Sequence, residues 1–122
     1  MPILNVEVVG ELASNLRVGL AERLANAAGG VLNSRPQGTW VKLSFLPAGQ
    51  YAENEGGSME GALPVFVSLL RAEVATGQAL KEQVLELTEA IAICTGRPSE
   101  NVHLIIEPAA AGRVAFGGTL IP

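Results

Sequence analysis

The chain is poor in the residues that most often carry chemistry. Among 122 residues there is one cysteine, Cys94, and one histidine, His103. A single Cys excludes an internal disulfide, and one His with one Cys on separate predicted elements cannot furnish the ligand set of a metal site. Cys94 lies within an apolar helical pattern and reads as a small buried hydrophobe rather than a nucleophile. Charge is sparse and slightly acidic: 8 Lys+Arg against 12 Asp+Glu, a formal net charge of -4. Phosphate neutralisation needs clustered Lys and Arg, and no such run exists, so nucleic acid is not an expected partner. No stretch reaches the ~18 apolar residues of a membrane span. The start has no basic segment followed by an apolar run, so no export signal is read. A cytoplasmic chain without a membrane partner is expected.

The chain is rich in aliphatic residues. Hydrophobic residues make up 48% of it, which excludes a disordered polymer. The length suits one compact domain over 1–122 with a substantial core.

A strand is expected over 2–9, "PILNVEVV", from its β-branched content and partial alternation. Ser14 or Asn15 is a candidate cap for a helix whose apolar positions are Leu16, Leu20, Leu24 and Ala27, closed at Gly29-Gly30. Thr39 to Phe45 reads as a second strand, stopped by Pro47. The order then recurs. Pro64 to Leu70 is a strand; Thr76 caps a helix with Leu80, Val84, Leu87, Ile91 and Cys94 on one face; Thr95-Gly96 closes it. Val102 to Ile106 is the last strand, stopped by Pro108.

The repeat is visible in the letters: "RPQGTWVKLSFLPAGQYAENEGG" stands against "RPSENVHLIIEPAAAGRVAFGG". Each pseudo-repeat, about 2–57 and 64–118, is strand–helix–strand followed by a Gly-rich, hairpin-like segment. Right-handed crossovers make the two strands of each unit parallel, and two such units can lie antiparallel in one sheet. The expected fold is α+β of the βαββαβ type: a four-stranded mixed sheet with two helices on one face. Val, Ile, Phe and Leu occupy both strand faces, so the face without helices calls for a partner, met most simply by a symmetric oligomer.

Other features take plainer readings. Glu53, Glu55 and Glu60 flank a Gly-rich acidic linker. Gly56-Gly57 and Gly117-Gly118 are not followed by a helix with a phosphate-binding Lys, so tight turns explain them better than phosphate cradles. Trp40 belongs to a core or an interface.

Pro2 directly after Met1, the duplicated units, and the ending "VHLIIEPAAAGRVAFGG" together resemble the tautomerase superfamily. The resemblance is to 4-oxalocrotonate tautomerase, macrophage migration inhibitory factor and 5-carboxymethyl-2-hydroxymuconate isomerase, in a form with two fused halves. It covers nearly the whole chain. It implies a homotrimer without a cofactor that moves a proton in a small carboxylate-bearing substrate, a 2-oxo or 2-hydroxy unsaturated acid. It also implies that Pro2, freed by loss of Met1, is the general base. A prolyl amine is basic when unprotonated, and burial or nearby cations lower its pKa toward neutrality. Pro64 would be the structural echo of Pro2, its nitrogen locked in an amide.

By the same resemblance, cations hold the carboxylate and the developing enolate. Lys42 and Arg71 come first, then Arg35, Tyr51 and Arg113. Arg71 is displaced from the family pattern, standing in "LLRAEVATGQALKEQ". The acid/base set of dehalogenating members is not evident, which leaves simple tautomerisation as the expectation. Two other readings stay open: a catalytically silent trimeric binding module on the same scaffold, and an unrelated ferredoxin-like regulatory domain.

Overall fold

The computed structural model describes residues 2–56 and 63–122. The expectations for Met1, Gly57 and Glu60 fall outside these residues. Strand β1 (Ile3–Val9) leads into a short helix α1 (Ser14–Arg17) and then α2 (Leu20–Val31). Strand β2 (Trp40–Leu46) follows, then β3 (Val65–Leu70), the long helix α3 (Gly77–Thr95), and β4 (Val102–Ile106). A small hairpin of β5 (Ala115–Phe116) and β6 (Thr119–Leu120) ends the chain.

The main sheet has four strands in the order β2-β1-β3-β4. β1 runs parallel to β2, with Ile3 opposite Trp40, and β3 runs parallel to β4, with Val65 opposite Val102. The two halves meet antiparallel at β1 and β3, Ile3 opposite Leu70 and Val8 opposite Val65. This is the mixed βαββαβ sheet expected from the repeat.

Strand alternation decides which side each residue takes. Leu4, Val6 and Val8 of β1 and Val65, Val67 and Leu69 of β3 are at most 1% exposed. They pack against Leu20, Leu24 and Ala28 of α2 and Leu87, Ile91 and Cys94 of α3. Each fully buried Leu, Ile or Val contributes roughly 1.5–3 kcal/mol of transfer free energy, so this one layer supplies most of the folding drive. Both helices therefore lie on the same face of the sheet.

The opposite face is more polar than the sequence suggested. Its middle carries Asn5, Glu7, Lys42, Ser44 and Ser68, which with Phe66 and Ile105 line an open cavity of about 460 Å³. Apolar residues of this face gather at the ends and one edge, where Trp40 and Ile105 are exposed. The apolar residues expected on this face are present, with polar ones between them.

The first helix departs from its expected course in two places. It breaks at Gly19, whose φ of 68° is left-handed, and α1 is preceded by Ala13 with no capping bond from Ser14 or Asn15. The break leaves carbonyls without helical partners. The Arg23 guanidinium donates to those of Leu16 and Val18, and to Cys94 at the end of α3. Farther on, α2 runs through Gly29-Gly30 instead of stopping there. Left-handed Asn33, at φ 52°, closes the turn, and Leu32 stays buried. In the second half Thr76 occupies the expected cap position of α3 without a side-chain bond, and Gly96 ends the helix at φ 69°.

Among the described residues, an expected Gly-rich hairpin is seen in the second half. Gly117 and Gly118, at φ 59° and 91°, make the two-residue turn of β5–β6, as hairpin chemistry requires. The described part of the first-half counterpart is a 3-10 turn at Ala48–Gln50 and a bend reaching Gly56.

Candidate active site

Strand directions put a defined set of residues at one end of the sheet: the start of β1, the start of β2 and the finish of β3 and β4. Pro2 stands there, buried, its carbonyl accepting the Trp40 amide at 3.0 Å. Continuing the antiparallel register of Ile3 with Leu70 by one step sets Arg71 opposite Pro2. Val9 donates to the Pro64 carbonyl at 3.1 Å, which marks 9 and 64 as a hydrogen-bonded pair. Alternation then makes 4/69, 6/67 and 8/65 the closely spaced pairs, about 4.5 Å between Cα atoms, and position 2/71 continues that series. Among the described residues the Arg71 guanidinium meets no carboxylate. Arg71, one residue past β3, and Pro2, one residue before β1, thus belong to the same end of the sheet.

The chain after β4 crosses this end. Glu107 donates its amide to Leu69 at 2.9 Å, Ala110 to Arg71 at 2.8 Å and Ala111 to Ala72 at 3.1 Å. Farther along, the Phe116 ring meets the Trp40 indole edge-on, centroids 5.2 Å apart at 87°. The segment is therefore tied to β3 on one side and to β2 on the other. The indole also donates to the Gln37 carbonyl at 3.0 Å.

Arg35 lies in the turn that enters β2, its carbonyl accepting from Gly38 at 2.9 Å. A Cβ at residue 38 would sit 2.9 Å from that carbonyl oxygen, so only glycine fits. The Arg35 side chain is exposed at the Pro2 end. Arg113 is also at this end, exposed, its guanidinium donating to the carbonyls of Ala109 and Pro108, each at 2.9 Å.

Lys42 and Tyr51 lie elsewhere in the protomer. Lys42 pairs in register with Asn5, on the open face of the sheet. That is three residues from Pro2 along the strand, about 10 Å at ~3.3 Å per residue. Tyr51 is beside Phe66, 6.0 Å between rings, and Phe66 is opposite Glu7 near the far end of β1. Its hydroxyl donates to Glu53 at 2.6 Å. That bond, then desolvation, then the Glu53 charge push the phenol above its ordinary value. The structure thus gathers Arg35, Arg71 and Arg113 at the end that holds Pro2, and keeps Lys42 and Tyr51 apart from it within one chain.

Sequence reasoning missed the edge-on contact of Phe116 with Trp40, and the two bracing arginines Arg23 and Arg97. Arg97 donates to the carbonyls of Leu63, Val9 and Glu11, the last two at 2.9 and 3.3 Å. Its burial lowers the guanidinium pKa. The repeated Arg-Pro pair was the available signal for Arg97. Cys94 is buried as expected; burial raises its thiol pKa, partly offset by Arg23. Among the described residues no group of three or more His, Cys, Asp or Glu is placed to hold a metal. No helix there is long and apolar enough to cross a membrane.

The architecture is a duplicated βαβ sheet with its helices on one face, and solved structures share it closely. A fused 4-OT, described as a wild-type symmetric trimer, matches with a TM-score of 0.77 at 15% identity, covering 97% of this chain and 94% of that one. Pt0534 inactivated by 2-oxo-3-pentynoate matches at 0.77 and 17% identity, over 97% of this chain and 94% of that one. A macrophage migration inhibitory factor homologue from Prochlorococcus marinus matches at 0.71 and 14% identity, over 98% of this chain and 99% of that one. The chain shares the fold of these solved structures, the fused 4-OT and the macrophage migration inhibitory factor homologue among them. No protein-family model matches the sequence, and no curated protein does.

Proposed function

We propose that the protein is a cofactor-independent tautomerase or isomerase of small 2-oxo or 2-hydroxy unsaturated acids, with the Pro2 amine as its general base after Met1 is removed. The observation that carries this reading is the position of Pro2: buried at the start of a central strand, with Arg71 directly following Leu70, the partner of Ile3. Burial and an adjacent cation both disfavour the protonated amine, which lowers its pKa toward the range where a base works well.

The chemistry follows from these groups. The Arg71 guanidinium pairs with the substrate carboxylate, two N–H donors to two oxygens. The Pro2 lone pair takes the proton of an enol hydroxyl, and the oxygen's electron pair forms the carbonyl as the double bond shifts. The prolyl ammonium then gives its proton to the carbon that has gained electron density. In the reverse direction negative charge builds on the carbonyl oxygen, where Arg35 is a candidate stabiliser. No group beyond proton donors and acceptors is needed.

The same reading makes the protein a homotrimer in the cytoplasm, working on a small carboxylate without nucleic acid or membrane. The symmetric trimer of fused 4-OT and the apolar rim of the open face support the assembly. On this reading Lys42 and Tyr51 stay in the candidate set as groups that one protomer supplies to the Pro2 of another.

The test is the mass of the chain from its native host together with turnover of phenylenolpyruvate. Loss of Met1 and a ketonisation rate abolished by Pro2→Ala are expected. A chain that keeps Met1, or a rate that survives Pro2→Ala, overturns the proposal, and a trimer with no turnover marks a binding module instead.

A further inference from the structure

Arg71 stands one residue beyond the end of β3, where the sheet no longer holds the backbone. Something else has to fix the direction of its side chain if it is to present two donors to a carboxylate. The amides of Glu107, Ala110 and Ala111 hold the backbone from which it projects, by donating to the carbonyls of Leu69, Arg71 and Ala72 at 2.9, 2.8 and 3.1 Å. Residues 108 and 109 fall between those amides, and their carbonyls are the two that Arg113 holds, at 2.9 Å each. The Arg113 amide also donates to the Ala110 carbonyl at 2.8 Å. Ala110 is fully buried although its neighbours on both sides are exposed. The loop is thus pinned by one methyl, four amides and one guanidinium.

We propose that Arg113 is a positioning residue for the carboxylate site: its guanidinium fixes the loop of residues 108–111, whose amides fix the backbone of Arg71. This rests on the reading of Arg71 as the group that holds the substrate carboxylate, and it assigns Arg113 a role other than direct contact. Two donors on separate nitrogens, Nε and Nη2, serve two adjacent carbonyls, an arrangement that the rigid guanidinium fork presents ready-made and that a lysine would have to reproduce from one nitrogen on a flexible stem. Lysine at this position keeps the charge but loses the pre-set two-nitrogen geometry.

The experiment is a double-mutant cycle with Arg113→Ala in the native chain and in an Arg71→Lys background, read by KM, kcat and calorimetric binding of fumarate, a dicarboxylate with no enolisable proton. Arg113→Ala is expected to raise KM and the fumarate Kd about 5- to 20-fold with kcat nearly unchanged, and to do neither once Arg71 is replaced, because coupled residues are not additive. Arg113→Lys is expected to fall between. Hydrogen exchange at the Ala110 and Ala111 amides is expected to quicken at least about tenfold in Arg113→Ala, as a local opening freed from its brace would. An Arg113→Ala effect that persists with Arg71 replaced overturns the inference in favour of direct ligand contact. Unchanged exchange at both amides overturns it irrespective of any binding result. A native chain that binds fumarate with the expected coupling but turns over no enol sinks the tautomerase reading and leaves this inference standing.

Discussion

Because β1 and β3 run antiparallel, the duplication puts one proline at each end of the sheet: Pro2 at one, Pro64 at the other. Both are buried. Each half also carries an Arg-Pro pair before its final strand, Arg35-Pro36 and Arg97-Pro98. There the likeness stops. At the Pro64 end the nitrogen is a tertiary amide, and Arg97 turns inward to hold three carbonyls, from the end of β1, the turn after it and the approach to β3. At the Pro2 end Arg35 stays exposed, Arg71 meets no carboxylate among the described residues, and the nitrogen becomes an amine once Met1 is gone. One end uses its arginine to close the structure, and the other leaves cations available around a potential base. A duplicated motif therefore says where a site lies in the fold; the local hydrogen bonds decide whether it is a site at all.

The difference between the two ends is sharpest in the prolines themselves. Pro2→Ala in the mature chain is expected to lower kcat/KM by about 10²–10⁴, the usual worth of a positioned base, whereas Pro64→Ala is expected to leave turnover in place. Equal losses from the two replacements, measured on phenylenolpyruvate, erase the distinction.

The arginines come next, with the order of effects reversed. Arg97→Ala strips donors from three carbonyls and is expected to cost about 1–3 kcal/mol in urea unfolding. Arg35→Ala removes an exposed side chain and is expected to change stability by less than about 0.5 kcal/mol. If Arg35 proves the more costly of the two, the assignment of closure to the Pro64 end is wrong.

Glycines test the frame that holds the ends apart. Gly96 has φ 69°, and a Cβ there would meet Leu16 at 2.8 Å. Gly96→Ala is expected to cost roughly 1–3 kcal/mol, the range for a strained left-handed residue. Gly30 lies inside α2 with nothing within 4 Å of its would-be Cβ. Gly30→Ala is expected to stabilise by about 0.5–1 kcal/mol, the helix-interior difference. A loss there indicates that α2 ends before residue 30.

The smallest effect lies at the end away from Pro2. Tyr51 is raised above 10.0 mainly by its bond to Glu53. The folded chain therefore holds that proton more tightly than the unfolded one, so the linked stability is present below pH 10 and fades as pH climbs through the raised value. Glu53→Gln is expected to bring the ultraviolet titration midpoint of Tyr51 down. An unmoved midpoint removes Glu53 as the cause.

Most of the fold was legible because strand alternation and helix periodicity agree with the repeat. "VEVV" and "VFVSLL" announce buried strands, and Leu87 and Ile91 announce the core face of α3. The break at Gly19 was hidden within an apolar pattern that continues at helical spacing across it. Gly29-Gly30 misled because glycine marks helix ends only where the next residues are free to leave, and Leu32 is instead drawn into the core. That residue 2 heads the first strand was readable from the β-branched run that follows it. The loop that ties Arg71 to Arg113 was not, because its bonds join backbone groups about 40 residues apart. No residue type in "EPAAAGR" signals them.

The most direct measurement is the rate at which 2-oxo-3-pentynoate alkylates the mature Pro2 amine as a function of pH, followed by mass spectrometry. A depressed amine predicts a rate already at its plateau near neutrality, with the label confined to Pro2. A rate that keeps rising through alkaline pH, as for an amine open to water, contradicts the account.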